Sequence, residues 1–314
     1  MSPRLLRRAL REYHSWVLNS RRLDAYRPRA DDIIISTFPK CGTTWTQRIV
    51  SMLVFRSPEP RSLHDVSPWP DAPMRGPIEA VVAAMEAQEH RRFIKTHLPL
   101  DGLPLYEGVK HIHVARDGRD AFMSWHNHQT AYTPEILARF DRIGLDDPAI
   151  GRAHPRVPAD PREFFRTWVE HTVDSPGLDF FAFEGAWWDG RRLPDVLLVH
   201  YNDLKADLAG EMRRIADFLG IVIPDDLWPA LVEAADFEAM KRDGKRLLPT
   251  ADQAVQGGAD RFLHKGTNER GRGVLTDDDL ARYDAKVREA FTPGLAAWVE
   301  GGRRAAGDPR DAQD

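Results

Sequence analysis

A short loop that combines lysine, glycine and threonine is the strongest chemical feature of the sequence. It reads Pro39-Lys40-Cys41-Gly42-Thr43-Thr44, between an apolar run and helix-like sequence that begins near Trp45. Unpaired backbone N–H groups at a helix N-terminus bind anions, and a glycine lets the backbone approach the ligand closely. Lys40 adds a positive charge and the threonines add hydroxyl donors. The pattern predicts a phosphate-binding loop.

This loop differs from the Walker A pattern of ATP-binding enzymes. In G-x-x-x-x-G-K-[ST] the lysine follows the second glycine, whereas Lys40 precedes Gly42, which is the only glycine of the loop. The sequence also shows neither a Walker B acidic strand end nor a His/Asp cluster with metal-ligand spacing. A metal-dependent small-molecule kinase is therefore the weaker interpretation. An ordinary strand–turn–helix with a capping threonine is the plainer alternative.

Further basic and titratable residues follow other apolar runs. Lys95-Thr96-His97 ends the run near residues 92–95, and Arg116 follows residues 111–115 with Ser124 eight residues later. A third basic segment, residues 261–267, contains His264-Lys265-Gly266. A histidine at a strand end can remove a proton from an alcohol, because its ordinary pKa is near 6.5.

The motifs, in this order, resemble those of the cytosolic sulfotransferases. T-F-P-K-C-G-T-T-W is similar to the family's 5′-phosphosulfate loop, usually T-Y-P-K-S-G-T-T-W. The segments K-T-H-L-P and R-F-L-H-K-G-T also resemble segments of that family. The resemblance runs from about Asp31 to Thr276 and looks bacterial rather than animal. Three departures are Cys41 in place of Ser, His264 in place of Arg, and Arg270-Gly271 where the family has Gly-Asp-Trp.

The resemblance implies a metal-independent enzyme that transfers a sulfuryl group from 3′-phosphoadenosine-5′-phosphosulfate (PAPS) to a hydroxyl of a small-molecule or lipid-like acceptor. It implies that His97 is the general base, that Lys40 contacts the bridging and 5′-phosphate oxygens, and that Lys95 stabilises the sulfuryl oxygens. Arg116 and Ser124 would hold the 3′-phosphate. The residues that the resemblance assigns to the nucleotide are Lys40, Cys41, Gly42, Thr43, Thr44, Trp45, Arg116, Ser124, Tyr201, Phe237, His264, Lys265 and Gly266.

Two qualifications concern the departures from the family pattern. A thiol at a helix N-terminus is expected to have a lowered pKa, and this applies to Cys41. A non-catalytic nucleotide-binding protein of the same fold stays an alternative because His264 replaces the expected arginine.

The elements that must position these residues follow from the hydrophobic pattern. Continuous apolar runs at residues 33–36, 92–95, 111–115 and 196–201 predict buried strands of a parallel sheet, and residues 45–55 and 208–219 predict helices. The alternation predicts an α/β fold, a P-loop-like doubly wound parallel sheet flanked by helices, in a single domain over residues 31–300. In such sheets ligands bind beyond the carboxyl ends of the strands.

The remaining segments are predicted as follows. Leu6, Leu10, Tyr13 and Val17 recur at helical spacing, so an amphipathic helix is expected within residues 1–30, with an anionic membrane surface as a lesser alternative partner. Residues 301–314 are predicted to be a flexible tail. Residues 57–77, 146–161 and 243–260 are expected to be acceptor-pocket walls, with plain surface loops equally open.

Composition limits the class of protein. The 314 residues are 42% hydrophobic and 29% charged, which is ordinary for a globular domain. The net charge of −4 argues against nucleic-acid binding. The single cysteine, Cys41, fits a reducing cytoplasm, and no apolar run is long enough to span a membrane, so integral membrane association is not expected. A homo-oligomer stays open.

Overall fold

A four-stranded parallel sheet lies at the centre of the computed structural model, which describes residues 2–171 and 178–314. The strands of the protein are β1 Leu5–Arg7, β2 Ile33–Ser36, β3 Phe93–Thr96, β4 Leu105–Tyr106, β5 Lys110–Ala115 and β6 Val196–His200. The order in the central sheet is β3-β2-β5-β6, and β1 and β4 form a small antiparallel pair outside it. All four predicted strands are present, within a residue of the predicted bounds.

Helices cover both faces of this sheet, as the doubly wound prediction requires. The longer helices are Thr43–Phe55, Ile78–Glu86, Gly118–Gln129, Pro134–Asp146, Pro161–Glu170, Phe180–Asp189, Leu208–Leu219, Trp228–Ala235, Asp277–Ala290 and Pro293–Gly301. The shorter ones are Leu63–Val66, Tyr201–Ala206, Phe237–Arg242, Gly244–Leu247, Ala251–Ala254, Gly258–Leu263 and Arg303–Ala306. Short 3-10 turns occupy Ser20–Ala25, Pro73–Arg75, Leu100–Gly102 and Pro309–Asp311.

The sheet divides the hydrophobic core into two layers. Successive side chains of a strand point to opposite faces, so Ile34 and Ile94 pack in one layer and Ile33, Ile35 and Phe93 in the other. Because both faces are buried, each strand is apolar along its whole length. This explains why the strands could be read from continuous apolar runs.

The predicted amphipathic helix near the N-terminus is wrong. Residues 5–7 form β1, which pairs with β4, and residues 8–19 contain no helix. Leu6 and Leu10 are 51% and 66% exposed, although Tyr13 donates a 2.8 Å hydrogen bond from its hydroxyl to Asp101 Oδ1. Pairing between distant strands has overridden the local helical spacing.

The predicted flexible tail is also wrong. Residues 303–311 form short helical segments that pack on the body of the protein. Arg191 is buried and donates to the carbonyl oxygens of Pro309 and Asp314. Arg310 donates from Nη2 to the carbonyl oxygen of Val196 at 3.0 Å. The tail is therefore fixed by side-chain to backbone hydrogen bonds.

Both outer strands of the sheet are covered along their open sides. On β3, the amide of Lys95 donates to the carbonyl oxygen of Pro68 at 2.9 Å. On β6, the carbonyl oxygens of Val196 and Leu198 accept from Arg310 and Arg214 at 3.0 and 2.9 Å.

Candidate active site

A cavity of about 1080 Å³ lies beyond the carboxyl ends of the four central strands. The phosphate loop follows β2, His97 follows β3, Arg116 follows β5 and Tyr201 follows β6. All predicted site residues except Cys41 contribute to the wall: Lys40, Gly42, Thr43, Thr44, Trp45, Lys95, His97, Arg116, Ser124, Tyr201, Phe237, His264, Lys265 and Gly266. The topology thus brings together residues that are up to 226 positions apart, from Lys40 to Gly266.

The phosphate loop has the geometry of an anion site. Lys40 and Gly42 have φ angles of 71° and 115°, both in the left-handed region, and the helix begins at Thr43 without a capping side chain. A Cβ on Gly42 would lie 3.3 Å from the Tyr201 ring. The position therefore favours glycine, both because of its positive φ angle and because a side chain would crowd this ring. The Thr37 and Thr43 hydroxyl oxygens are 2.5 Å apart and fix the turn. The first amides of the helix are left to a ligand.

Cys41 does not contribute to the cavity, contrary to the prediction. Its side chain is fully buried in the core, and its backbone N–H donates to the carbonyl oxygen of Phe38 at 3.2 Å. Burial, the largest effect, and the charge of Glu184 raise the pKa of this thiol well above its ordinary value. The expected low pKa is therefore wrong, because the loop turns the sulfur inward, away from the helix N-terminus.

His97 is oriented for proton transfer. Its Nδ1 lies 2.7 Å from the carbonyl oxygen of Thr37. A carbonyl can only accept, so Nδ1 carries the proton and Nε2 keeps its lone pair. Burial, followed by the charges of Lys95 and Lys40, lowers the pKa of His97 well below 6.5. The imidazole is therefore neutral near pH 7 and can act as a base at Nε2, which has no hydrogen-bond partner among residues 2–171 and 178–314.

Lys40 and Lys95 flank this histidine. Lys40 Nζ donates to the carbonyl oxygen of Phe262 at 3.2 Å, and Lys95 Nζ lies 4.2 Å from the centre of the Trp69 ring. Burial is the largest cause that lowers the pKa of each lysine to about 7, and neighbouring cations add to it. Within the part of the chain that the structure describes, the contacts of the two amino groups are with a backbone carbonyl and aromatic rings, and neither forms an ion pair with a carboxylate. An anion that enters the cavity can therefore pair with both.

Arg116 joins the phosphate loop to the distant 261–270 segment. Its Nη1 donates to the carbonyl oxygen of Lys40 at 3.1 Å, and its Nη2 donates to the carbonyl oxygen of Thr267 at 3.0 Å. The guanidinium lies 4.1 Å from the centre of the Tyr201 ring, and Nε is buried without a hydrogen bond. Ser124, on the helix that follows, lines the same cavity as Arg116.

Three aromatic side chains form an apolar slot beside this cluster. Trp45 and Tyr201 meet edge to face with ring centres 5.4 Å apart, and Trp45 Nε1 donates to the carbonyl oxygen of Ala235 at 2.8 Å. The third ring is that of Phe237. A Cβ on Gly266 would lie only 2.5 Å from it, so the glycine allows this ring to pack against the backbone of residue 266. Such a slot suits a flat heterocycle.

Sequence reasoning missed Arg270, which it treated only as a departure from the family pattern. Arg270 lines the cavity, and its backbone N–H donates to Asp120 Oδ1 at 3.1 Å. Burial, the largest effect, and the charge of Arg116 lower the pKa of Arg270, so the two guanidiniums lie close together. Burial, followed by Arg270 and Arg261, lowers the pKa of His264 to about 4. His264 is therefore neutral, and Arg270 supplies the cation that His264 cannot.

The other half of the cavity is mainly apolar. Two predicted wall segments do line it: residues 57–77 contribute Leu63 and Met74, and residues 243–260 contribute Leu248. The third predicted segment, residues 146–161, does not reach the cavity, because it packs against the N-terminal segment, where Trp16 Nε1 donates to the carbonyl oxygen of Arg152. The apolar residues of this half are Val17, Leu18, Leu63, Met74, Val81, Trp125, Tyr132, Ile136, Phe140 and Leu248.

Among the described residues, no three His, Cys, Asp or Glu side chains are grouped as a metal site would require. Within the same residues, none of the helices has the length and apolar character needed to cross a bilayer.

Comparisons with known proteins bear on the family and on the fold. The family model described as a sulfotransferase domain matches residues 30–293. A glycolipid sulfotransferase of Mycobacterium bovis is 38% identical over 93% of this chain and 94% of its own, and sulfotransferase 1A1 of Rattus norvegicus is 26% identical over 83% and 85%. A crystal structure of retinol dehydratase with androsterone and the inactive cofactor PAP has a TM-score of 0.67 at 19% identity, covering 88% of this chain and 87% of its own.

Proposed function

The chain belongs to the sulfotransferase family, and we propose that it transfers a sulfuryl group from PAPS to a hydroxyl of a lipid-like acceptor. The observation that supports this best is the placement of His97 Nε2 in a cavity whose wall also holds several basic side chains, among them Lys40, Lys95, Lys265, Arg116 and Arg270.

The cationic half of the cavity fits a doubly phosphorylated nucleotide. PAPS carries about four negative charges: about −1.5 to −2 on its 3′-phosphate monoester, and about −1 each on the 5′-phosphate and the sulfate of the phosphosulfate group. Lys40, Arg116, Lys265 and Arg270 supply matching positive charge. The first amides of the helix Thr43–Phe55 have no capping side chain, so these donors are left for a ligand. The solved relatives retinol dehydratase and mouse SULT7A1 are both described as complexes with PAP.

The residues at the centre can share the chemistry without a metal. His97 Nε2 removes the proton of the acceptor hydroxyl while the hydroxyl oxygen forms its bond to sulfur and the sulfur–oxygen bond to the phosphate breaks. Lys40 stabilises the negative charge that develops on the departing phosphate oxygen, and Lys95 stabilises the sulfuryl oxygens. The Thr37 carbonyl holds His97 in the required tautomer throughout.

The apolar half supports a lipid-like acceptor. Ligand pockets for single drug-sized molecules occupy roughly 300–1,000 Å³, so a cavity of about 1080 Å³ has room for a nucleotide and part of a second molecule. Val17, Val81, Ile136 and Phe140 can pack against an alkyl chain, as burial of apolar surface favours binding. The glycolipid activity named for the Mycobacterium bovis relative agrees with this assignment.

The test is direct transfer. The purified protein is incubated with PAPS and an amphiphilic alcohol or glycoside. The sulfated product and the nucleotide product PAP (3′-phosphoadenosine-5′-phosphate, also called 3′,5′-ADP) are measured by mass spectrometry. We expect equal amounts of both, formed without added magnesium and not formed when ATP replaces PAPS. Absence of PAP binding by calorimetry, or transfer that needs ATP and magnesium, would overturn the proposal and favour the kinase interpretation.

A further inference from the structure

A second histidine, His128, lies in the cavity wall, and the mechanism above does not use it. It belongs to the helix Gly118–Gln129, one turn after Ser124. Its Nδ1 is buried without a hydrogen-bond partner. Its Nε2 has no partner within residues 2–171 and 178–314 either and, unlike Nδ1, is not enclosed by protein, so it is the ring nitrogen that a ligand can reach.

The ring of His128 is held in place by aromatic neighbours. Trp125 stacks on it with ring centres 5.8 Å apart, while Tyr132 and Phe262 meet it edge to face at 5.2 and 5.1 Å. On the side of the phosphate loop, Lys40 Nζ lies 4.4 Å from the centre of the same Phe262 ring. His128 is therefore a rigid group between the cationic and apolar halves of the cavity.

His128 is a neutral hydrogen-bonding group rather than a cation or a base. Burial is the largest cause that lowers its pKa well below 6.5, and the charges of Lys40, Lys95 and His97 lower it further. These three causes also show that His128 lies close to the proposed reaction centre. A neutral imidazole has one donor and one acceptor nitrogen, which matches a hydroxyl group better than an anion.

Buried histidines of this chain differ in pairing: some have partners for their nitrogens, whereas neither nitrogen of His111 forms a hydrogen bond with a described residue. His113 lies between the Ser36 carbonyl at 3.2 Å and Glu184 at 2.9 Å, and His126 Nε2 lies 2.9 Å from the carbonyl oxygen of Pro158. His128 differs from His111 because it lines the cavity, so its free nitrogen faces a space that a ligand can enter. A buried polar group that stays unpaired in a ligand cavity calls for a polar ligand.

We propose that His128 Nε2 hydrogen-bonds a second hydroxyl of the acceptor, next to the hydroxyl that loses its proton to His97. The acceptor is then a polyol, such as the sugar of an amphiphilic glycoside, rather than a simple alcohol. This inference rests on the proposed function and narrows its substrate class. His128 is a specificity residue here, since it takes no part in bond making.

The experiment compares two acceptors in two proteins. Octyl glucoside offers several hydroxyls on an eight-carbon chain, and 2-(octyloxy)ethanol offers one. With PAPS, we expect His128→Phe to lower kcat/KM for octyl glucoside about tenfold, the effect of one neutral hydrogen bond, and to leave 2-(octyloxy)ethanol unchanged. His128→Gln, which keeps a donor and an acceptor, should retain more of the glucoside activity than His128→Phe.

A matched control and two further readouts separate the outcomes. His126→Phe, two residues earlier on the same helix and outside the cavity wall, should leave the ratio between the two acceptors unchanged. The melting temperature and the PAP affinity check that the His128 variants are folded, and His128→Leu replaces His128→Phe if the latter does not fold. An equal loss for both acceptors, or no loss for either, overturns the role of His128. Failure of the wild-type protein to sulfate either acceptor instead overturns the proposed function, and this inference with it.

Discussion

Arg116 donates a 3.1 Å hydrogen bond from Nη1 to the backbone carbonyl of Lys40. One guanidinium therefore supports the left-handed backbone of the phosphate loop and, through Nη2, the carbonyl of Thr267 on the opposite wall. The two walls of the nucleotide half are coupled through this side chain.

Removal of this guanidinium should weaken nucleotide binding at the 3′-phosphate. We expect Arg116→Ala to lose more affinity for 3′,5′-ADP than for 5′-AMP, by about 10- to 100-fold for a charged hydrogen bond, as measured by calorimetry. Arg116→Lys should not restore it, because an ammonium lacks the planar fork that reaches both carbonyls. Equal losses for the two nucleotides would contradict the 3′-phosphate role.

Arg270 should contribute to the same phosphate. Arg270→Ala keeps the backbone hydrogen bond to Asp120 but removes the cation, so we expect a loss of 3′,5′-ADP affinity of about 10- to 100-fold with a smaller loss for 5′-AMP. The control is Arg272→Ala, since Arg272 is 85% exposed and forms a surface pair with Glu269, which contributes little. A variant that binds both nucleotides like the wild type would remove Arg270 from the site.

His97 should affect turnover rather than nucleotide binding. General-base catalysis contributes about 10²–10⁴-fold, so we expect His97→Ala to lower kcat within that range while calorimetry still detects 3′,5′-ADP. The control is His14→Ala, because His14 forms a surface pair with Asp147 at 2.7 Å. Unchanged turnover in His97→Ala would refute the base assignment.

Nucleotide binding should take up protons. The pKa values of Lys40 and Lys95 are about 7 in the free protein, and a bound polyanion raises them. Both lysines are then largely neutral at pH 8 before binding and charged afterwards, so uptake should approach about two protons and affinity should fall as pH rises above about 7.

Calorimetry of 3′,5′-ADP binding at pH 8, in buffers of different ionisation enthalpy, measures this uptake directly. Lys95→Met should reduce it by about one proton. Binding without any proton uptake would show that both lysines are already charged in the free protein.

The parts of the fold that could be predicted are those set by local pattern and burial. Strands such as β2 are apolar along their length because both faces are covered, and Gly42 marks a turn that a side chain would obstruct. The N-terminal segment could not be predicted, since Leu6 and Leu10 have helical spacing but β1 pairs with a strand about 100 residues away.

The candidate site was predictable only where motif residues follow strands. Lys40, His97 and Arg116 each come directly after an apolar run, so the topology determines their positions. Arg270 and His128 reach the cavity through the fold of the 261–270 segment and the rotation of a helix, which no local spacing encodes. Cys41 is the opposite case. It occupies a motif position in the phosphate loop, but its side chain is buried in the core.

The arginines that donate to Val196 and Leu198 have a consequence for solubility. An open strand edge presents unpaired carbonyls on which another chain can add a strand, and this is a common route to aggregation. In β6 these outward carbonyls are occupied by two charged side chains, one of them from residues 303–311. Loss of Arg310 would therefore expose a template for intermolecular β-pairing on the side of the molecule away from the cavity-bearing strand ends.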